Sequence, residues 1–251
     1  MRANLLILGG TSEASALAKI VAAKGLAATL SYAGRTASPK AQPLAVRIGG
    51  FGGVAGLARY LSEQRISHLI DATHPFAAQI SANAVAAAKA AGVPLAALVR
   101  PPWSPVAGDR WQCVEDIPTA VAALSGPSRR VMLALGRLHL AAFAAEPQHH
   151  YLLRLVDPPT VAPPLPKHTV IVARGPFDVV GDTRLLQTHE IETVVAKNAG
   201  GTGAAAKLAA ARALQRDVVL IDRPPAPQRT ELTSPEAVLD WLAHGPTPLG
   251  V

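Results

Sequence analysis

In the stretch LLILGGTSEASALA, an apolar run reaches Gly9-Gly10, and Thr11-Ser12-Glu13 then opens an alanine-rich segment. Glycines let a backbone approach a ligand, and free N–H groups at a helix start favour a phosphate. Thr11 and Ser12 add hydroxyl donors. The run lacks the G-x-G-x-x-G spacing of the dinucleotide fingerprint, and an ordinary glycine turn capped by Ser12 would read the same way. The end of the next apolar run narrows the choice. NAD enzymes place an acid there for the ribose 2′-hydroxyl, whereas LSYAGRTAS carries Ser31, Arg35 and Thr36. A hydroxyl and a guanidinium suit a 2′-phosphate that a carboxylate would repel, so the pair points to NADP rather than NAD.

A third corner, DATHPFA, ends another apolar run in Asp71 and turns through Thr73, His74, Pro75 and Phe76. At the carboxyl end of a later strand of the same sheet, Thr73 and His74 are expected at the ribose or nicotinamide. Pro75 is expected to fix the corner and start the next helix. A histidine that is purely structural is the plainer alternative. In the C-terminal half, VVAKNAGGTGAAAKL places Lys197, Asn198, Gly200, Gly201, Thr202 and Lys207 around a second glycine turn before a helix, a further anion site. Arg174 in VARGPF, Asp222-Arg223 in LIDRPP, and Arg137 with His139 in LALGRLHL also end apolar runs. Several strands ending in cations suit a ligand with many carboxylates.

Other chemistries find no support. The histidines lack H-E-x-x-H spacing, and His149-His150 reads as surface rather than a metal site, so no metal is expected. There is no G-x-S-x-G elbow and no Walker A lysine after the first glycine turn.

These corners need a scaffold, and the hydrophobic pattern supplies one. Short runs such as NLLIL, LAATLSY, SHLID and TVVAK alternate with segments such as SEASALAKIVAAKG, VAGLARYLSEQ and FAAQISANAVAAAKAAG. That alternation predicts βαβ units and parallel sheets. Gly25 and Gly92 stand where helix ends want positive φ, and Ser234-Pro235 starts a last helix, SPEAVLDWLAH. The proline-rich VDPPTVAPPLPKH is a loop. The expected fold is α/β: two Rossmann-like domains, residues 1–127 binding nucleotide and 128–251 on the substrate side, with parallel sheets flanked by helices and a cleft between them.

With 251 residues and 49% hydrophobic content, the chain can bury two modest cores. Its net charge of +7 comes from scattered cations, and aromatics are 4%, which argues against nucleic acid. A single cysteine, Cys113, fits a reducing cytoplasm. No apolar run is long enough for a membrane helix, and a monomer is favoured.

LGGTSEA, SYAGRT, DATHPFA, RPPW, LALGR, ARGPF and AKNAGG, in this order and over nearly the whole chain, resemble the precorrin-6A reductase family of cobalamin biosynthesis. The resemblance implies an enzyme that uses NADPH to reduce one carbon–carbon double bond of the precorrin macrocycle, giving precorrin-6B. Its substrate is a tetrapyrrole with many carboxylates. By position, the cofactor loop falls on Gly9, Gly10, Thr11 and Glu13, and the 2′-phosphate region on Ser31 and Arg35. Thr73 to Ala77 would approach nicotinamide and substrate, with Lys197 and Asn198 on the substrate side. Ala199 stands where the family often carries serine. His74 and Lys197 are candidate catalytic residues, and Asp222 or bound water are equally open as the proton source. Alternatives are a reductase of the cobalt-containing analogue, a two-domain glycosyltransferase, and a non-catalytic NADP-binding sensor.

Overall fold

The computed structural model describes residues 3–34 and 41–245. Two compact units result, one built from Met1–Pro101 with Pro225–Val251 and the other from Pro102–Pro224. The first holds β1 (Asn4–Leu8), α1 (Ser12–Ala23), β2 (Ala27–Tyr32), β3 (Ala45–Ile48), α2 (Gly53–Glu63), β4 (His68–Asp71), α3 (Ala78–Ala91) and β5 (Leu95–Leu98). The second holds β6 (Trp111–Val114), α4 (Ile117–Ala122), β7 (Arg130–Ala134), a 3₁₀ helix (Arg137–Ala145), β8 (His150–Leu155), β9 (His168–Val172), α5 (Val179–Thr188), β10 (Thr193–Lys197), α6 (Ala206–Ala213) and β11 (Asp217–Ile221). The chain then returns to the first unit through β12 (Thr230–Leu232) and α7 (Pro235–His244).

Both six-stranded sheets are parallel throughout, ordered β12-β5-β4-β1-β2-β3 and β6-β11-β10-β7-β8-β9. Strands covered on both faces read as continuous apolar runs, and in β1 Leu5 to Leu8 are all buried. Leu5 and Ile7 pack with Leu17 and Val21 of α1 and with Val238 and Trp241 of α7. Leu6 and Leu8 face the opposite way, toward Leu57 and Leu61 of α2 and Ala84, Ala87 and Ala88 of α3. The alanine spacing of α3 lets its backbone lie close to the sheet. Gly92, at φ +65°, closes α3 in the left-handed conformation, and Ser234 caps α7 through Ala237 N–H.

The domain boundary differs from the expected one between residues 127 and 128. In each unit the strand order is three-two-one-four-five, followed by a sixth strand from elsewhere in the chain. The segment after β5, where the first sheet would take its own sixth strand, instead runs to β6 and pairs with β11. The segment after β11 likewise runs to β12 and pairs with β5. Residues 102–127 therefore belong to the second unit and 225–251 to the first.

Candidate functional site

In an open parallel sheet, the crevice for a ligand opens at the carboxyl ends of the strands where the order reverses. In the first unit that point lies between β1 and β4. Gly9 follows β1, and its N–H donates to Ser31 O at 2.9 Å, while an added Cβ would sit 2.7 Å from Leu30 Cδ1. Gly10, at φ +126°, has open space where a Cβ would be, so backbone is bare there. Thr11, rather than Ser12, caps α1. Its Oγ1 accepts from Ala14 N–H at 3.1 Å and donates to Ala72 O at 2.8 Å, tying the β1–α1 turn to the end of β4. Glu13 accepts from Ser12 Oγ at 3.0 Å and pairs with Arg100 at 2.7 Å, just past β5. Arg100, within the RPPW motif, was not foreseen as a site residue; its position after an apolar run was the signal.

The Thr-His-Pro corner is held from below. The buried Asp71 carboxylate accepts from Thr73 N–H at 3.1 Å and Thr73 Oγ1 at 2.7 Å. Its other oxygen accepts from Arg229 at 2.6 Å, with the two side chains only 1% and 6% exposed. Thr73 Oγ1 also lies 3.4 Å from Ser81 Oγ. Its hydroxyl therefore shapes the corner. Pro75 does not start the helix. His74 O accepts from Ala77 N–H at 2.7 Å, which makes Pro75 the second residue of a tight turn, and α3 begins at Ala78. His74 Nδ1 accepts from Phe76 N–H at 3.2 Å, which leaves the ring proton of neutral His74 on Nε2. Thr11, Glu13, Thr73, Pro75 and Arg100 line one shallow cleft with Leu98 and Val99.

At the end of β2, Ser31 is buried, and Arg47 of β3 reaches its hydroxyl at 3.4 Å. Arg47 also donates to Gly50 O at 2.7 Å and stacks 3.8 Å from the Phe51 ring centroid. No acid appears among these contacts. Arg35 and Thr36 lie outside the described residues. Burial pushes the Tyr32 phenol, one residue on, above its ordinary range.

In the second unit the order reverses between β7 and β10. There Lys197 Nζ lies 2.8 Å from His139 Nε2, with exposed Arg137 at the start of the 3₁₀ helix. An ammonium is donor-only, so His139 Nε2 accepts. Asn198 faces a different task from the one expected. Its amide accepts from Trp103 N–H at 2.8 Å and donates to Trp103 O at 3.0 Å, while Trp103 Nε1 donates to Gly201 O at 2.7 Å. Lys207 is buried, donates to Ala204 O and lies 4.9 Å from the Trp103 ring centroid. Arg223 donates to Asn198 O and Ala199 O. These residues fasten the Trp103 segment and the glycine turn. Gly200 and Gly201, at φ +70° and +69°, and exposed Thr202 precede a turn, and α6 begins only at Ala206. The expected glycine turn leading straight into a helix is therefore absent.

Arg174 pairs with Asp157 at 3.2 Å beyond β9, on the far side of β8 from β7. Asp222 is exposed just after β11. His149, expected at the surface, is fully buried: Nδ1 accepts from Arg129 N–H at 3.0 Å and Nε2 meets Leu124 O at 2.7 Å. No group of three or more metal-ligating side chains occurs among the described residues. Nor, among them, is any helix long and apolar enough to cross a membrane.

Residues 4–243 match the family model described as Precorrin-6x reductase CbiJ/CobK. A precorrin-6A reductase of Rhodobacter capsulatus is 60% identical over 249 residues, covering 99% of each chain. A solved structure titled CobK precorrin-6A reductase superposes with a TM-score of 0.94 at 60% identity, over 99% of this chain and 100% of that one. A cobalt-precorrin-6A reductase of Priestia megaterium is 27% identical over 256 residues, covering 96% of this chain and 98% of its own.

Proposed function

Because this chain belongs to the precorrin-6x reductase family, an oxidoreductase family acting on a CH–CH group, we propose that it reduces precorrin-6A to precorrin-6B with NADPH. The observation that carries the reading is the corner between β1 and β4. Bare backbone at Gly10, the start of α1 and the Asp71–Pro75 turn come together there at the reversal of strand order. These residues fit a dinucleotide: a helix start for pyrophosphate, and an acid-free β2 end with Ser31 and Arg47 in reach of a 2′-phosphate. Arg35 and Thr36 belong to the same proposal.

When bound, NADPH supplies the hydride to one carbon of the double bond, and a proton completes the neighbouring carbon. The protein's part is orientation and exclusion of water. Thr11 and Thr73 shape the corner, Pro75 and Phe76 offer it an apolar surface, and His74 holds an N–H at Nε2. On the substrate side, Arg137, Arg174 and Lys197 are the cations for ring carboxylates. His74 and the Lys197–His139 pair are the proton-donor candidates. Asn198, Gly200, Gly201 and Thr202 act through the shape of their turn. The identity gap between the two relatives, 60% against 27%, supports the metal-free macrocycle over the cobalt-containing one. The proposal extends to a cytoplasmic setting, which the single cysteine supports.

The test is anaerobic mixing of the purified protein with precorrin-6A and either NADPH or NADH, following nicotinamide absorbance. Substrate-dependent NADPH oxidation, with NADH much slower, is the expected result. Binding of NADPH without turnover on precorrin-6A would overturn the substrate assignment.

A further inference from the structure

We infer that Arg100 is the pyrophosphate-binding cation of the nucleotide site, and that Glu13 is its resident counter-ion, which the pyrophosphate displaces. The inference rests on the nucleotide reading proposed above.

Glu13 is the second residue of α1, within the first turn, where the helix dipole and unpaired N–H groups favour negative charge. Its Oε2 accepts from Arg100 Nη1 at 2.7 Å and from Ser12 Oγ at 3.0 Å. The two side chains are 22% and 15% exposed, so the pair is largely withdrawn from water. Both line the cleft with Thr11, Thr73 and Pro75. In this arrangement a carboxylate of the chain itself, paired with Arg100, stands in the first turn of α1.

A pyrophosphate brought to the same helix start meets Glu13 as a like charge, and the two compete for one guanidinium. Arginine's planar fork suits a phosphate at least as well as a carboxylate, and a pyrophosphate brings more charge and more acceptors. Pair exchange follows: Arg100 turns from Glu13 to the nucleotide, and Glu13 moves toward water. Until then Glu13 keeps Arg100 satisfied. Nucleotide affinity consequently stands below what Arg100 alone would give. Glu13 thus opposes binding, contrary to the cofactor-contact role implied by the family resemblance.

The experiment is the NADPH dissociation constant of the full chain, measured by quenching of intrinsic fluorescence for wild type, Glu13→Gln, Arg100→Lys, Arg100→Ala and the double variant Glu13→Gln/Arg100→Ala. Glu13→Gln is expected to bind about twofold to fivefold more tightly, the size of one weak ion pair removed from the competition. Arg100→Ala is expected to bind roughly tenfold to a hundredfold more weakly, with Arg100→Lys between it and wild type. In the double variant the gain from Glu13→Gln should be smaller than in wild type, because only the like-charge repulsion is then relieved. Weaker binding by Glu13→Gln would make Glu13 a direct nucleotide contact and overturn the inference. An undiminished gain in the Arg100→Ala background would reduce Glu13 to simple repulsion and overturn the exchange. Wild-type protein that fails to bind NADPH at all would remove the underlying nucleotide reading as well.

Discussion

Replacing Arg229 by Met removes the guanidinium that neutralises Asp71 beneath the Thr-His-Pro corner. The pair is 2.6 Å long, with side chains 6% and 1% exposed, so Asp71 would be left without its counter-charge and with little water around it. Breaking one partner of a buried ion pair costs about 3–5 kcal/mol, far beyond the 0–1 kcal/mol of a surface pair. Asp71 also holds Thr73 through two hydrogen bonds, so the loss should reach the cleft and not remain a stability effect. The assay is urea unfolding of the transition that includes the first unit, alongside NADPH binding. Adding Asp71→Asn to Arg229→Met should recover part of the stability, because no buried charge is then left alone. A loss below about 1 kcal/mol for Arg229→Met would refute the reasoning, since the pair would then behave as a solvated one.

Gly56→Ala should destabilise by an amount at or above the top of the usual 1–3 kcal/mol for overpacking, because its Cβ would stand 1.7 Å from Phe51 O; thermal unfolding reads this directly. Burial lowers the proton affinity of His68, which packs edge-on to Trp241 with ring centroids 5.4 Å apart. Its contribution to stability is therefore present above the unfolded value near 6.5 and lost as pH falls below it. His68→Phe should flatten the decline of stability between about pH 7 and 5, as read from denaturant midpoints; an unchanged slope would clear His68 of that role. Tyr151→Phe deletes a buried hydroxyl that donates to Glu146 O at 2.8 Å and Phe143 O at 3.2 Å, and should cost roughly 1–3 kcal/mol in the same titration. Arg137→Ala should raise KM for the tetrapyrrole up to about tenfold while leaving NADPH binding unchanged.

The alternation of strands and helices was legible because the central strands β1, β7, β10 and β11 are buried over most of their length and so read as nearly unbroken apolar runs. NLLIL and TVVAK are the plainest cases. The two strands the pattern missed, WQCV of β6 and TEL of β12, are short, lie at sheet edges and carry polar residues, and they are the two whose pairing departs from chain order. Missing them displaced the domain boundary. At the candidate site, local spacing singled out the glycine turn, the Thr-His-Pro corner and Lys197. What it could not supply is which atoms each polar group already engages. Asp71 meets Arg229 from 158 positions away, Asn198 meets Trp103 from 95, and Arg100 meets Glu13 from 87. Thr11, Thr73 and Asn198 consequently read as ligand contacts in sequence, while their hydrogen bonds build the framework.

The most direct measurement of the central claim is a single anaerobic turnover of precorrin-6A with NADPH carrying deuterium at both C4 positions, followed by mass analysis of the macrocycle. Hydride transfer predicts a reduced product that retains one deuteron from the nucleotide and takes its second hydrogen from solvent. A reduced product without nucleotide deuterium, or labelled NADPH left unconsumed beside intact precorrin-6A, would contradict it.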